Sequence, residues 1–484
     1  MNILLLAPSA LTLFGGIYMI ARPFALRRNR NIFAFSVTLV TSLVIAYLLL
    51  CGGSESVTLL RLDNILAVTL RMDALSRVFS AIIAVMWPIA VLYSVEYMKD
   101  EKHENRFFAF YIMTYGVVFG IANAGNYFTL YLFYELLTLA TLPLVMHEMD
   151  GKSRFAGKRY IIYSMSGAAM SFIAMTLLTS KGGVEYIYGG TGTVDGAFAQ
   201  AVFLFGFFGF GVKSAVVPLH SWLPTAGVAP TPVSALLHAV AVVNSGVFAI
   251  LRLIYYTVGA DVLRGTAAQN VAMGFVCVTI VYGSVMALRQ RSLKRRLAYS
   301  TVSNLSYILL GALLMCPAGL AAALMHMAMH SVIKIILFFC AGALLCATHH
   351  HARNVEDYEG FGRKLPLLFS VFAIASLALI GVPPLAGFTS KWYIATAAAQ
   401  AGTPMAIVGV AALCISALLT GLYLTDVLIR AFFPVNGALS GGCAAEKNGW
   451  RINLSLVVLT LLLIAVSVFA DEMYAYFSGI AGLV

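Results

Sequence analysis

Apolar stretches of roughly twenty residues, the length a helix needs to cross a bilayer, follow one another along almost the whole chain, and a few of them hold a charge. Lys213, Lys334 and Lys391 each lie inside such a stretch, and so does the carboxylate Glu135. Of the 484 residues, 61% are hydrophobic and 11% are charged, and mean hydropathy is +0.90. No soluble domain hides that much apolar surface, so the composition predicts an all-α, polytopic membrane protein. About fourteen spans are expected, near residues 3–22, 31–51, 74–98, 106–124, 126–147, 157–180, 197–223, 231–257, 267–289, 295–315, 319–347, 365–398, 404–433 and 451–475. The opening MNILLLAPSA has no basic flank, which predicts a retained first span and not a cleaved signal.

The net charge of +11 follows from topology and not from nucleic-acid binding. Most Lys and Arg residues fall in alternate loops: Arg22, Arg27, Arg28 and Arg30; Lys99, Lys102 and Arg106; Lys152, Arg154, Lys158 and Arg159; Arg289, Arg291, Lys294, Arg295 and Arg296; Arg353, Arg363 and Lys364; Arg430, Lys447 and Arg451. The opposite loops and their edges hold only Arg61, Arg71, Arg77, Lys181, Arg252 and Arg264. Basic loops stay in the cytoplasm, so both termini are expected outside. The longest outer loop, 52–73, alternates on either side of Asp63-Asn64 and predicts a small β-hairpin.

Several chemistries are excluded. The seven cysteines form no CxxC pair, which argues against zinc or iron–sulfur ligation. No GxGxxG or phosphate-binding GxxxxGKS/T loop is present, so no nucleotide site and no bound cofactor is expected, and the chain is expected to have no redox chemistry of its own. His349-His350-His351 sits at a helix end without Cys or acidic partners and is read as a solvated terminus.

A charge at the bilayer centre costs at least about 2.5–3.5 kcal/mol and usually marks an ion or proton route. The seventh span carries Gly209 and Gly211 before Lys213, then Pro218 and Pro224. The twelfth carries Gly381, Pro383, Pro384 and Gly387 just before Lys391. Matching breaks in two halves of a chain point to a transporter core built from inverted repeats; a plain proline kink is the simpler reading, weakened by the lysine at each break. Glu135 needs a cation, and Lys213 is the natural candidate. His326, His330 and Lys334 recur every fourth residue and share one helix face. Imidazoles exchange protons near neutral pH, so such a stripe suits a proton wire, although a histidine can equally serve as a helix–helix hydrogen-bonding group. That plainer role weighs most for His238. Ser300, Ser303 and Tyr307 are further water-holding groups.

These residues arrive within the strings GVKSAVVPLHSWLPTAGVAPTPVSALLHA, LKRRLAYSTVSNLSY, HMAMHSVIKIILFFCAGAL and GVPPLAGFTSKWYIA. Over nearly its whole length the chain resembles the antiporter-like subunits shared by respiratory complex I, membrane-bound (energy-converting) hydrogenases and formate hydrogenlyases, and Mrp-type cation/proton antiporters. The resemblance implies about fourteen helices with two inverted five-helix repeats, spans 4–8 and 9–13, and broken helices 7 and 12. It divides the chain into 1–105 (spans 1–3 and the outer loop), 106–257 (first repeat), 258–433 (second repeat) and 434–484 (span 14). It also implies a proton path through Glu135, Lys213, His238, Asn244, His326, His330, Lys334 and Lys391. Two departures stand out: many members carry lysine where this chain has Asn244, and no long lateral helix follows the last span.

The expected function is proton translocation, with sodium coupling as an alternative, in a subunit of a redox-driven complex related to hydrogenases or complex I. The rivals are an Mrp Na+/H+ antiporter subunit and a non-conducting scaffold. Expected partners are other membrane subunits, including further antiporter-like or quinone-site-like ones, with lipid around them. The expected location is a prokaryotic inner membrane.

Overall fold

Helices start where the sequence supplies a cap. Asp73, Asn126, Asp150, Thr266 and Thr403 each accept the backbone N–H three residues further on, satisfying donors that the helix itself leaves free. The computed structural model describes residues 2–53, 56–62, 66–349, 351–434 and 448–482. After a 3-10 turn the order is α1 (Ala7–Ala21), α2 (Arg27–Cys51), β1 (Ser56–Arg61), β2 (Ala67–Arg71), α3 (Ala74–Tyr97), α4 (Glu104–Ala122), α5 (Tyr127–Val145), α6 (Gly151–Ser180), α7 (Gly196–Gly211), α8 (Trp222–Ala226), α9 (Thr231–Ala239) and α10 (Val242–Arg252). A π-turn over Leu253–Val258 leads to α11 (Ala260–Leu263), α12 (Ala267–Leu288), α13 (Leu293–Leu313), α14 (Pro317–Ala347), α15 (Phe361–Lys364), α16 (Pro366–Ile380), α17 (Ala386–Ala401), α18 (Pro404–Phe432), α19 (Trp450–Val468) and α20 (Ala470–Ile480).

The protein is an all-α membrane protein. Among the described residues, 11 helical segments are long and apolar enough to cross a membrane. The expected seventh and twelfth spans are helix pairs, α7 with α8 and α16 with α17. The expected tenth span is α13, less apolar because Lys294, Arg295 and Arg296 fill its first turn and Ser300, Thr301, Ser303 and Asn304 line its middle.

Burial sorts the helices into layers. The segment Thr231–Val258 is 100% buried over its apolar window and α14 is 94% buried, against 33% for α1, α2, α18 and α19. The centre is therefore α9–α10 and α14, with α3, α13, α16, α17 and α19 packed on α14. Outer helices turn Leu418, Leu422, Ile407 and Leu461 outward, as lipid contact requires.

β1 and β2 pair antiparallel, Ser56 opposite Arg71 and Arg61 opposite Ala67, with an irregularity between Thr58 and Leu60. The expected hairpin is present. Its turn at Asp63-Asn64 lies outside the described residues, as do His350, Cys443 and Lys447. Strand β2 docks on the α4–α5 connection through Arg71 N to Asn123 O and Gly125 N to Thr69 O.

One placement differs from the sequence reading. Arg252, expected at an outer helix edge, is fully buried at the end of α10. It grips Asp73 with two bonds of 2.6 and 2.8 Å and lies among the rings of Tyr186, Phe248 and Tyr256. The carboxylate that caps α3 also offsets the desolvation of the guanidinium, which no count along the chain reveals.

Candidate functional site

The break in the seventh span puts Lys213 two residues past the end of α7. Trp222 of α8 fastens the break by donating Nε1–H to Val212 O at 2.7 Å. Lys213 is 0% exposed. Its Nζ lies 3.4 Å from the centre of the Tyr134 ring on α5 and donates to the Tyr134 carbonyl. The Tyr134 hydroxyl in turn donates to Phe210 O in the last turn of α7 at 3.1 Å. Glu135 follows Tyr134 on α5, but no ion pair joins it to Lys213 among the described residues. The half-buried Glu135 keeps Oε1 out of solvent and without a hydrogen-bond partner. The expected pair is thus brought together without contact, with a carbonyl and an aromatic face holding the lysine in between.

The eighth span contains a break that nothing in AVAVVN announces, since neither Gly nor Pro is present. α9 stops at Ala239 and α10 starts at Val242. The Asn244 amide donates to the freed Ala239 carbonyl at 2.9 Å and to Ser331 Oγ on α14 at 2.8 Å. Asn244 therefore fastens the broken span to the central helix. His238, one residue before the break, stacks on Phe338 with ring centres 4.8 Å apart, and its backbone carbonyl lies 3.3 Å from His330 Nε2.

The α14 stripe is present as expected, with His326 2%, His330 1% and Lys334 0% exposed. The two imidazole centres are 6.4 Å apart. His326 Nδ1 meets Ser390 Oγ of α17 at 2.9 Å. Lys334 Nζ donates to Ser300 Oγ at 2.7 Å and to Leu297 O at 3.2 Å, both on α13. Among the described residues no carboxylate bonds Lys334.

In the twelfth span Gly381 (φ +96°) ends α16, and Lys391 of α17 reaches back to its last carbonyls, Leu379 O at 2.6 Å and Ile380 O at 2.9 Å. A cation at a helix C-terminus satisfies acceptors that the helix cannot. A side chain at Gly387 would put its Cβ 1.7 Å from Ala378 O, so only glycine lets the two half-helices come this close.

Polar atoms without protein partners mark the same region: Glu135 Oε1, both ring nitrogens of His238, Asn244 Oδ1, His330 Nδ1, His326 Nε2 and Asn304 Oδ1. Buried polar atoms of this kind take their hydrogen bonds from water. Asn304 joins Ser300 on α13, where its amide donates to the Ser300 carbonyl at 2.7 Å. Tyr423, Thr420 and Ser416 on α18 complete the polar lining. The sequence hid them because isolated hydroxyls in an apolar helix commonly bond only their own backbone.

Residues 124–419, a range that includes Glu135, the three buried lysines, Asn244 and the three site histidines, match the family model "NADH:quinone oxidoreductase/Mrp antiporter, TM", and residues 64–108 match the N-terminal region of complex I chain 5. The chain belongs to this family of antiporter-like membrane subunits, found in complex I, hydrogenase and Mrp complexes. It is 31% identical over 397 residues to NADH-quinone oxidoreductase subunit N of Desulforudis audaxviator, covering 78% of this chain and 75% of that one. It is 32% identical over 344 residues to hydrogenase-4 component B of Escherichia coli, covering 67% of this chain and 50% of that one. A chain in the structure of the Mrp complex from Dietzia sp. DQ12-45-1b shares the fold with TM-score 0.86 and 22% identity, over 99% of this chain and 52% of that chain.

Proposed function

We propose that this chain carries protons across the membrane as the antiporter-like subunit of a redox-driven complex of the hydrogenase or complex I type. The observation that supports this most is Lys334: a lysine with no exposed surface and, among the described residues, no carboxylate partner, hydrogen-bonded to a serine hydroxyl at the centre of the bundle. A purely structural cation would be expected to have its counter-charge, as Arg252 has Asp73. A group that must accept and release a proton is better served by neutral hydroxyls.

In this reading Glu135 sets the charge state of Lys213. A change in the partner subunits that moves or neutralises Glu135 alters the proton affinity of Lys213. The proton passes Asn244 and His238 to His330, His326 and Lys334, then to Lys391. Moving one charge against roughly 180 mV needs about 4 kcal/mol, or about a thousandfold change in proton affinity. Making or breaking one buried charge interaction supplies a change of that order. Both termini lie outside, and uptake is from the side bearing the basic loops. There a cavity of about 510 Å³ lined by Glu101, Glu148 and Lys294 opens between the helices. Electron transfer and cofactors reside in partner subunits.

The test is proton transport by the complete complex in proteoliposomes. Lys213→Ala, Lys334→Ala and Lys391→Ala should each assemble normally and transport close to background. Native-rate transport by all three would instead make the chain a scaffold. Loss of sodium-dependent transport without loss of redox-driven pumping would favour the Mrp-type reading.

A further inference from the structure

Resting on the proton-carrying reading above, we propose that in the second half of the chain the proton travels through a column of hydroxyl groups between α13 and α18, beside the imidazole stripe on α14. The column starts at the central lysine. Lys334 Nζ donates to Ser300 Oγ at 2.7 Å, and Ser300 is bonded to the Tyr423 hydroxyl at 2.6 Å. Tyr423 bonds Thr420 Oγ1 at 3.2 Å. Thr420 Oγ1 donates to the Ser416 carbonyl at 2.7 Å, and the Tyr307 hydroxyl bonds Ser416 Oγ at 2.5 Å. Ser416 is joined in turn to Ser284 of α12. The ring of Tyr307 lies 5.5 Å from Lys391 Nζ and meets the edge of His326 at 5.4 Å. The column therefore begins on one lysine and ends beside the next.

Three features separate this column from ordinary helix fastening. Ser300, Tyr307, Ser416, Thr420 and Tyr423 are all 0% exposed, so no bulk water competes for their bonds. Each offers both a donor and an acceptor, the requirement for handing a proton along. The column also contacts the lysine directly, whereas the nearest imidazole partners are a serine and a backbone carbonyl.

The transfer balances atom by atom. The Tyr423 hydroxyl, which donates to Ser300 and to Thr420, keeps its proton toward Thr420 while Ser300 turns its own toward Tyr423; Lys334 then gives a proton to Ser300 Oγ as the Ser300 proton moves to the Tyr423 oxygen. The Tyr423 proton moves to Thr420, and a water between Thr420 and Tyr307 carries that of Thr420 to Tyr307. Every hydroxyl breaks one O–H bond and forms another, ends neutral, and rotates to reset. One bridging water takes the proton from Tyr307 to Lys391.

The experiment compares variants of the complete complex in proteoliposomes. Tyr423→Phe removes one hydroxyl and keeps the ring, and should cut proton transport at least about tenfold, less than a sole transfer group because the imidazoles run alongside. Thr420→Val should act in the same direction. Replacing Tyr423 by 3-fluorotyrosine keeps size and bonding but gives a more acidic phenol, and should move the alkaline limb of the transport–pH profile to lower pH without changing assembly. Native-rate transport in Tyr423→Phe while Lys334→Ala is inactive overturns the column and spares the proton reading. So does a fluorotyrosine variant with an unchanged pH profile, which would make Tyr423 a packing group. Native-rate transport in Lys334→Ala and Lys391→Ala overturns the proton reading itself.

Discussion

The two halves of the chain hold their lysines in opposite ways. In the first half, Lys213 is held by Tyr134, under its ring and on its carbonyl, with Glu135 the next residue on the same helix. No hydroxyl among the described residues bonds its ammonium group. In the second half, Lys334 has no carboxylate partner among the described residues but bonds a serine that leads into further hydroxyls. The first site is built to let one charge feel another. In the proposed reading the second passes a proton on. The breaks differ likewise: Lys391 satisfies the last carbonyls of its own broken span, α16, while Lys213 crosses to a different helix, α5. A shared pattern of glycine, proline and lysine thus supports two kinds of polar centre.

The largest effects should fall on transport. Lys213→Ala and Lys334→Ala should each lower it by about a hundredfold or more, as expected for removing a positioned proton carrier. The halves should then separate in a double-mutant cycle. Glu135→Ala with Lys213→Ala should be strongly non-additive, since the second change removes a partner already without use. Glu135→Ala with Tyr423→Phe should be closer to additive. Equal coupling in both cycles would remove the distinction between the halves.

Lys334→Arg comes next. Arginine retains the charge but does not release its proton, so transport should fall nearly as far as in Lys334→Ala. Native-rate pumping by the arginine variant would make this position a fixed charge, like Arg252.

Stability offers a third contrast. Asp73→Ala strands Arg252 as an uncompensated buried charge and should cost about 3–5 kcal/mol, read as a large drop in thermal denaturation temperature in detergent. Lys334→Met removes a buried cation that has no counter-charge and should leave that temperature unchanged or raise it. Equal losses would show that Lys334 is as firmly compensated as Arg252.

Asn244→Leu should be milder. It leaves the Ala239 carbonyl at the break without its donor, costing about 1–3 kcal/mol, and it should dry the link between the halves, slowing transport several-fold. Asn244→Lys should retain transport, because an ammonium group can supply the same donors. A native rate in Asn244→Leu would show that the halves work independently.

The smallest effect concerns the cavity on the basic face. Burial and then the nearby Glu148 push the Glu101 carboxyl above its usual range. A carboxyl raised in the folded state stabilises the fold below its unfolded value, and the fold loses that contribution as pH rises through the folded value. Glu101→Gln should therefore raise thermal stability slightly at pH 8 and leave it unchanged at pH 4. A loss at pH 8 would show that the ionised form makes a favourable contact there.

Much of the fold was legible along the chain because lipid imposes a simple rule. Every spanning segment must be apolar and must satisfy its own backbone, so the expected spans fall on helices. Strict four-residue spacing put His326, His330 and Lys334 on one face of α14, and local spacing needs no tertiary information. The break at Ala239–Val242 was not legible, because Asn244 and Ser331, 87 residues apart, hold it open in place of Gly or Pro. Arg252 was placed too near the surface because its partner Asp73 lies 179 residues away.

The sequence by itself therefore determined which segments enter the membrane, which charges enter with them, and which family the chain resembles, since hydropathy and local spacing are properties of neighbouring residues. Tertiary structure alone decided what each buried charge meets: an aromatic face and carbonyl for Lys213, a hydroxyl column for Lys334, helix-end carbonyls for Lys391. In a low-dielectric interior the stability of a charge depends on the few polar atoms that packing brings to it, and those atoms come from helices far apart in the chain.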